Sequence, residues 1–266
     1  MDCSLGSSLV DSPAVVVAGA GGAPAAVGEV DGVGAGVDSV AEGRRVAGES
    51  LHHAAVTRLS KRFDSAARAR VEAAVRAAES RSTGQIVPIV VAQSSTYADV
   101  RLRAALLGLG VGTAAVVLAL PQAGVAWVVA AQGAAMALGY ALSATPVLLR
   151  ALAGRAALAH AARDRAMRAF LEHGLAHTSE RTGVLVFASM LEQQGVVLGD
   201  EAIHAKMKDG EWDRALAALT AELARGAPDE GFCRAIAIVG DKLAEHFPAH
   251  GLAANELSNR LEVDEA

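Results

Sequence analysis

Residues 103–150 read RAALLGLGVGTAAVVLALPQAGVAWVVAAQGAAMALGYALSATPVLLR, and the 46 positions between the two bounding arginines hold no Asp, Glu, Lys or Arg. At about 20 residues per crossing, the run is long enough for two membrane-spanning helices. Pro121-Gln122-Ala123-Gly124 divides it, with Leu106 to Leu120 as the core of a first span and Val125 to Leu142 as the second. So short a connection implies a tight helical hairpin. Gly108 and Gly112 make a GxxxG pattern, while Ala131, Ala135 and Gly139 repeat a small residue every four positions. Such spacing permits close helix contact where van der Waals packing drives association. It serves either a seam within the hairpin or, through Gly108 and Gly112, a homo-oligomer. Gln132 is the polar side chain expected to bond across the hairpin.

The charges beside the run predict its orientation. Arg101 and Arg103 precede it, Arg150, Arg155, Arg163, Arg165 and Arg168 follow it, and the turn carries none. A two-span hairpin returns the chain to the side it left, and the basic flanks place that side in the cytoplasm. The expectation is a multi-pass protein of the cell inner membrane, with the folded domain and both termini cytoplasmic.

Outward from the hairpin the chain divides into residues 1–55, 56–103, 104–149, 150–260 and a tail, 261–266. The first segment is rich in Gly, Ala, Val and Ser and has no base before Arg44. Such a composition buries too little apolar area to offset its ordering entropy and reads as disordered. Asp64 opens a helix in which Val71, Ala74, Val75 and Ala78 recur at helical spacing; Thr83-Gly84 ends it before a short buried strand, 85 to 91. Pro88 lacks an amide hydrogen, so that strand should pair on one side there. After the hairpin, a helix is expected over Arg155 to His177. A strand hairpin over 184–188 and 196–198 follows, then a short helix capped by Asp200 and helices at about 212–225 and 230–246. Two helix-to-strand units, one ending Ser82-Thr83-Gly84 and the other Arg181-Thr182-Gly183, flank the membrane run like an internal repeat. The two spans are therefore inserted into one α/β domain whose halves should meet.

The order of these residues resembles a TPM domain, in the bacterial membrane branch interrupted by transmembrane helices. Asp64-Ser65-Ala66-Ala67-Arg68-Ala69-Arg70-Val71 leading to Ser82-Thr83-Gly84-Gln85-Ile86-Val87 is similar to its start. Thr178-Ser179-Glu180-Arg181-Thr182-Gly183-Val184-Leu185-Val186-Phe187-Ala188-Ser189 follows, then Glu192, Asp200-Glu201-Ala202-Ile203, Trp212, Leu243 to Pro248 and Asn255-Glu256-Leu257. The resemblance covers roughly residues 60 to 260. It implies an α/β fold with a small sheet covered by helices, membrane association, and a role as an accessory factor, a weak acid phosphatase or a calcium binder. Gln85 stands where many relatives carry an acid.

Composition excludes some chemistry. With 24 basic and 29 acidic residues, a net charge of -5 and only 3% aromatics, the chain lacks the field and the stacking platform that nucleic acid requires. Cys3 and Cys233 make no disulfide framework. No phosphate-cradling GxxxxGK[ST] loop is present, and Pro24 spoils the glycine turn after Val15-Val16-Val17-Ala18 as a dinucleotide site. His173 and His177 share helical spacing but flank Gly174. Cys233-Arg234 is no thiolate phosphate loop, since position 239 is Val239.

The acidic group near strand ends is Glu192, Asp200 and Glu201, which could hold a divalent cation such as calcium through oxygen ligands. The competing reading makes Asp200 a helix cap and Glu192 a solvated turn residue. Two functions follow. One is a non-catalytic accessory module that binds a protein partner beside the lipid bilayer; the other is a divalent-cation-dependent acid phosphatase or related hydrolase using Glu192 and Asp200.

Overall fold

The computed structural model describes residues 14–18, 59, 62–119, 122, 124–208, 210–249 and 256–264. Asp64 caps α1 (Ser65–Glu79), its carboxylate accepting the Ala67 N–H at 2.7 Å, and α1 leads into β2 (Gln85–Val91). The two long apolar helices follow as α2 (Ala98–Ala119) and α3 (Val125–Leu142). A short helix α4 (Pro146–Ala153) and then α5 (Arg155–Glu172) return the chain to the sheet. The second half supplies β3 (Gly183–Ser189), β4 (Gln194–Gly199), α6 (Glu201–Lys206), α7 (Asp213–Arg225), α8 (Pro228–His246) and β5 (Glu262–Asp264).

With β1 (Ala14–Ala18), the sheet runs β1-β4-β3-β2-β5. The repeat read from the two Thr-Gly junctions is realised here: β2 and β3 pair in parallel, with Gln85 opposite Gly183 and Val91 opposite Ser189. The strand halves on either side of the apolar run thus form the centre of one sheet. Both strands are buried on both faces, which explains their apolar runs, Ile86 to Val91 and Val184 to Ala188. Ile86, Val90, Val184, Val186 and Val197 face α1, α7 and α8, where Phe63, Val71, Leu219, Phe232, Ile236 and Val239 complete the larger core. The opposite parity, Val87, Ile89, Leu185, Phe187 and Leu198, packs on Ala162, Ala166, Ala169 and Phe170 of α5. Pro88 pairs with β3 alone, because β5 reaches only Ile89 to Val91 on the other side.

Four expectations change. Ala14–Ala18, placed in a disordered segment, is an edge strand antiparallel to β4, where three consecutive valines meet an open ladder; the rest of 1–55 lies outside the described residues. The helix expected to reach His177 ends at Glu172, because Gly174 turns left-handed at φ 70° before a 3-10 turn at Leu175–His177. Residues 146–153 are a helix of their own, opened by Pro146 and separated from α5 by Gly154 at φ 78°. Glu262–Asp264, read as tail, extends the sheet beside β2.

Glu79 joins the end of α1 to the sheet. Its carboxylate accepts the Ile86 N–H at 2.9 Å and the Asn259 amide at 2.6 Å. Burial raises its pKa above the ordinary carboxylate value, and both hydrogen bonds oppose that rise. A raised carboxyl contributes stability below its unfolded pKa and loses it as the pH rises through the folded one. Wild type should therefore gain melting temperature relative to Glu79→Gln as buffer pH falls from neutral toward the ordinary Glu pKa. Parallel curves for the two proteins would contradict this linkage.

Candidate functional site

The antiparallel β3–β4 hairpin turns through Met190 to Gln193, with Gln193 at φ 54°. Within that turn Glu192 is only 2% exposed. One carboxylate oxygen accepts the Ser94 N–H at 2.8 Å and the Tyr97 hydroxyl at 2.6 Å; the other accepts the Ser189 hydroxyl. Backbone bonds from Met190 N to Val91 O and Leu191 N to Ala92 O, each 3.0 Å, carry the β2–β3 ladder past the strand ends into this turn. Three donors on one buried carboxylate satisfy it where water is excluded. Burial, then the adjacent Glu192 charge, pushes the Tyr97 hydroxyl well above the ordinary phenol range and keeps it a donor.

Tyr97 sits at φ 50°, a left-handed conformation uncommon for a bulky residue, immediately before α2 begins. Its ring packs with Val100 of α2, Leu149 of α4, Leu158 of α5 and Leu191 of the turn. Glu192 therefore ties the carboxyl end of the sheet to the root of the apolar hairpin. A carboxylate committed to three internal donors is an anchor rather than an open acid or base.

Asp200 and Glu201 lie elsewhere. Asp200 follows Gly199, which pairs with Val184, whereas Glu192 lies beyond the Ser189–Gln194 pair at the other end of the same ladder. Five strand steps separate those ends, about 17 Å. Glu192 and Asp200 thus stand at opposite ends of the hairpin, and the three carboxylates do not gather around one cavity. Asp200 is buried and caps α6 by accepting the Glu201 N–H at 2.8 Å; Glu201 pairs with Arg181 at 3.2 Å on the surface. Around them the Thr182 hydroxyl donates to Thr83 O at 3.0 Å, and the Gln85 side chain accepts the Glu256 and Leu257 N–H groups at 3.1 and 3.4 Å. Gln85 therefore serves as a backbone acceptor for the C-terminal segment. Among the described residues, no three His, Cys, Asp or Glu side chains stand together as a metal group.

Two lesser candidates also resolve. His173 ends α5 while His177 closes the 3-10 turn beyond Gly174, so they do not share a helix face. Cys233 is half-buried on α8, and burial pushes its thiol up, away from nucleophilic character.

The apolar hairpin is the other prominent surface. α2 and α3 are long and apolar enough to cross a membrane, and only 11% and 0% of their apolar windows are buried. Fourteen of the fifteen large hydrophobic side chains exposed among the described residues fall between Leu102 and Val147, with Leu118 83%, Val125 80% and Trp127 74% exposed. Between the helices, a Cβ on Gly108 would meet Ala135 O and one on Gly139 would meet Ala104 O, closer than any tolerable contact; one on Gly112 would lie 2.5 Å from the Ala135 Cβ. Gly108 and Gly112 therefore face α3 within the chain, in the seam of the hairpin. The Gln132 amide donates to the Thr113 hydroxyl at 2.9 Å, the expected bond across the hairpin.

No family model and no curated protein matches the chain. It is similar to the NMR structure of the BA42 protein from the psychrophilic bacterium Bizionia argentinensis, at 18% identity, covering 74% of this chain and 92% of that one, with a TM-score of 0.47.

Proposed function

We propose that this protein is a membrane-anchored accessory module: α2 and α3 span the bilayer, and a TPM-like α/β domain at the cytoplasmic face binds a protein partner without catalysing a reaction. The outward apolar surface of the hairpin carries this reading. Exposing a large apolar side chain to water forgoes about 1.5–3 kcal/mol of burial, and thirteen of them on two adjacent helices form a patch far beyond that of a soluble monomer. The charge-free lengths approach a span, since residues 104–119 and Val125–Leu142 rise about 24 and 27 Å against a hydrocarbon core of about 30 Å. Trp127 near the turn and Tyr140 near the root are both exposed and stand where amphipathic rings favour the two interfaces. The arginine-flanked root supports a cytoplasmic domain, and the helix–Thr-Gly–strand pairing supports the TPM-like reading.

The non-catalytic role is favoured by Glu192, whose oxygens are committed to hydrogen bonds that hold the domain to its anchor. Membranes from cells expressing the full chain, washed in alkaline carbonate and then cross-linked, provide the test. The protein should remain in the pellet and yield one reproducible heterologous cross-link through the α/β domain. Release by carbonate would refute the anchor, and a pelleted protein that cross-links to nothing would refute the partner role.

A further inference from the structure

From Val100 to Arg163 the chain carries five arginines, Arg101, Arg103, Arg150, Arg155 and Arg163, and no acid. The fold gathers four of them at the root of the hairpin. Val100 of α2, Leu149 of α4 and Leu158 of α5 are buried in one cluster, with Leu152 and Ala153 packed against it. Arg101 and Arg150 adjoin two of those residues, and Arg155 lies one helical turn before the third. Arg103 reaches Asp99 at 3.2 Å, an exposed pair of little strength, and Arg150 donates through Nε to Pro146 O at 3.1 Å. The Arg101 Nε is enclosed without a hydrogen-bond partner. On α4 the outward positions are apolar: Val147 is 74% exposed and Ala151 is exposed beside Arg150. A short helix with an apolar outer surface and an arginine at its edge fits the headgroup layer rather than bulk water.

We propose that this arginine collar binds the headgroups of anionic phospholipids, with α4 lying along the bilayer surface. The collar is locally cationic on a chain whose net charge is -5, so the attraction is confined to the level at which the hairpin enters lipid. Guanidinium groups match phosphate oxygens through paired N–H donors. The inference rests on the membrane reading of α2 and α3, and adds to it a preference among lipids.

The full chain reconstituted into mixed phosphatidylcholine and phosphatidylglycerol bilayers, then extracted in mild detergent, should retain phosphatidylglycerol above its share of the bilayer. Arg101→Gln combined with Arg150→Gln should lower that enrichment by about 25-fold, at roughly five-fold per arginine. Arg101→Lys with Arg150→Lys should keep most of it, and Lys208→Gln with Arg214→Gln, on the far domain surface, should keep all of it. Equal loss in the Gln and Lys pairs, or no enrichment in wild type, would overturn the proposal. Carbonate resistance measured on the same samples separates the two ideas: a protein that stays in the membrane without lipid preference refutes the collar alone, and one that washes off refutes both.

Discussion

Glu192→Leu should lower stability by about 3–5 kcal/mol, because it leaves the Ser94 N–H and the Tyr97 and Ser189 hydroxyls buried without their acceptor. Domains of this kind have about 5–15 kcal/mol in total, so the loss is a large fraction of it. At about 2–4 °C per kcal/mol for a chain of this size, the melting temperature in detergent should fall by roughly 10 °C. Glu192→Gln keeps one oxygen for Ser94 and Tyr97, and its amide can donate to the Ser189 oxygen; its cost should be about 1 kcal/mol. The order of the two variants is the informative part. A Leu variant that melts with wild type would show that the three donors find water or other acceptors, and that Glu192 is not what holds the hairpin root to the sheet.

Gly108→Val should be comparably damaging, for a reason confined to the hairpin. The new side chain would meet the backbone carbonyl of Ala135, and Gly139→Val would meet that of Ala104. Backbone atoms cannot swing aside as a side chain can, so the helices must part, and the contacts that drive their association weaken. The expected cost is about 3 kcal/mol, at the upper end for overpacking. Gly110→Ala and Gly133→Ala are the matched controls. Their Cβ atoms would find nothing within 4 Å, so they should be neutral or slightly stabilising through helix propensity. Particle mass should stay the same in all four proteins, since the affected seam lies inside one chain. A change of mass in Gly108→Val would restore Gly108 to an intermolecular surface.

The hairpin was legible in sequence because a long run without formal charge admits few alternatives in water. That the two halves meet was legible because a Thr-Gly junction stands before each central strand; the register was not, since Gln85 and not Gly84 lies opposite Gly183. The Glu192 anchor was not legible. Its partners Ser94 and Tyr97 lie 98 and 95 residues upstream, and the polar run Glu192-Gln193-Gln194 has the composition of a solvated turn. A closer hint was available in Tyr97, one of two tyrosines in the chain, standing directly before an apolar helix. The three carboxylates stand apart for a geometric reason. Proximity in sequence across a strand hairpin does not bring the turn and the open end together, and Asp200 is needed as the cap of α6. β5 escaped notice because three residues with two acids show no periodicity; what makes Glu262–Asp264 a strand is the edge of β2 left open beyond Pro88.

The parallel pairing of β2 with β3 across the inserted hairpin also dictates the order in which the molecule can be made. When Val91 leaves the ribosome, its ladder partner Ser189 has not been translated, and at about 5–20 residues per second it arrives some 5–20 s later. Both apolar helices emerge during that interval and are available for insertion before the central sheet can close. Through this delay β2 is an unpaired strand, apolar from Ile86 to Val91, the kind of segment that seeds aggregation. Pro88 at its midpoint withholds one ladder donor, so the nascent chain is partly protected against pairing with a stranger until its own second half is delivered.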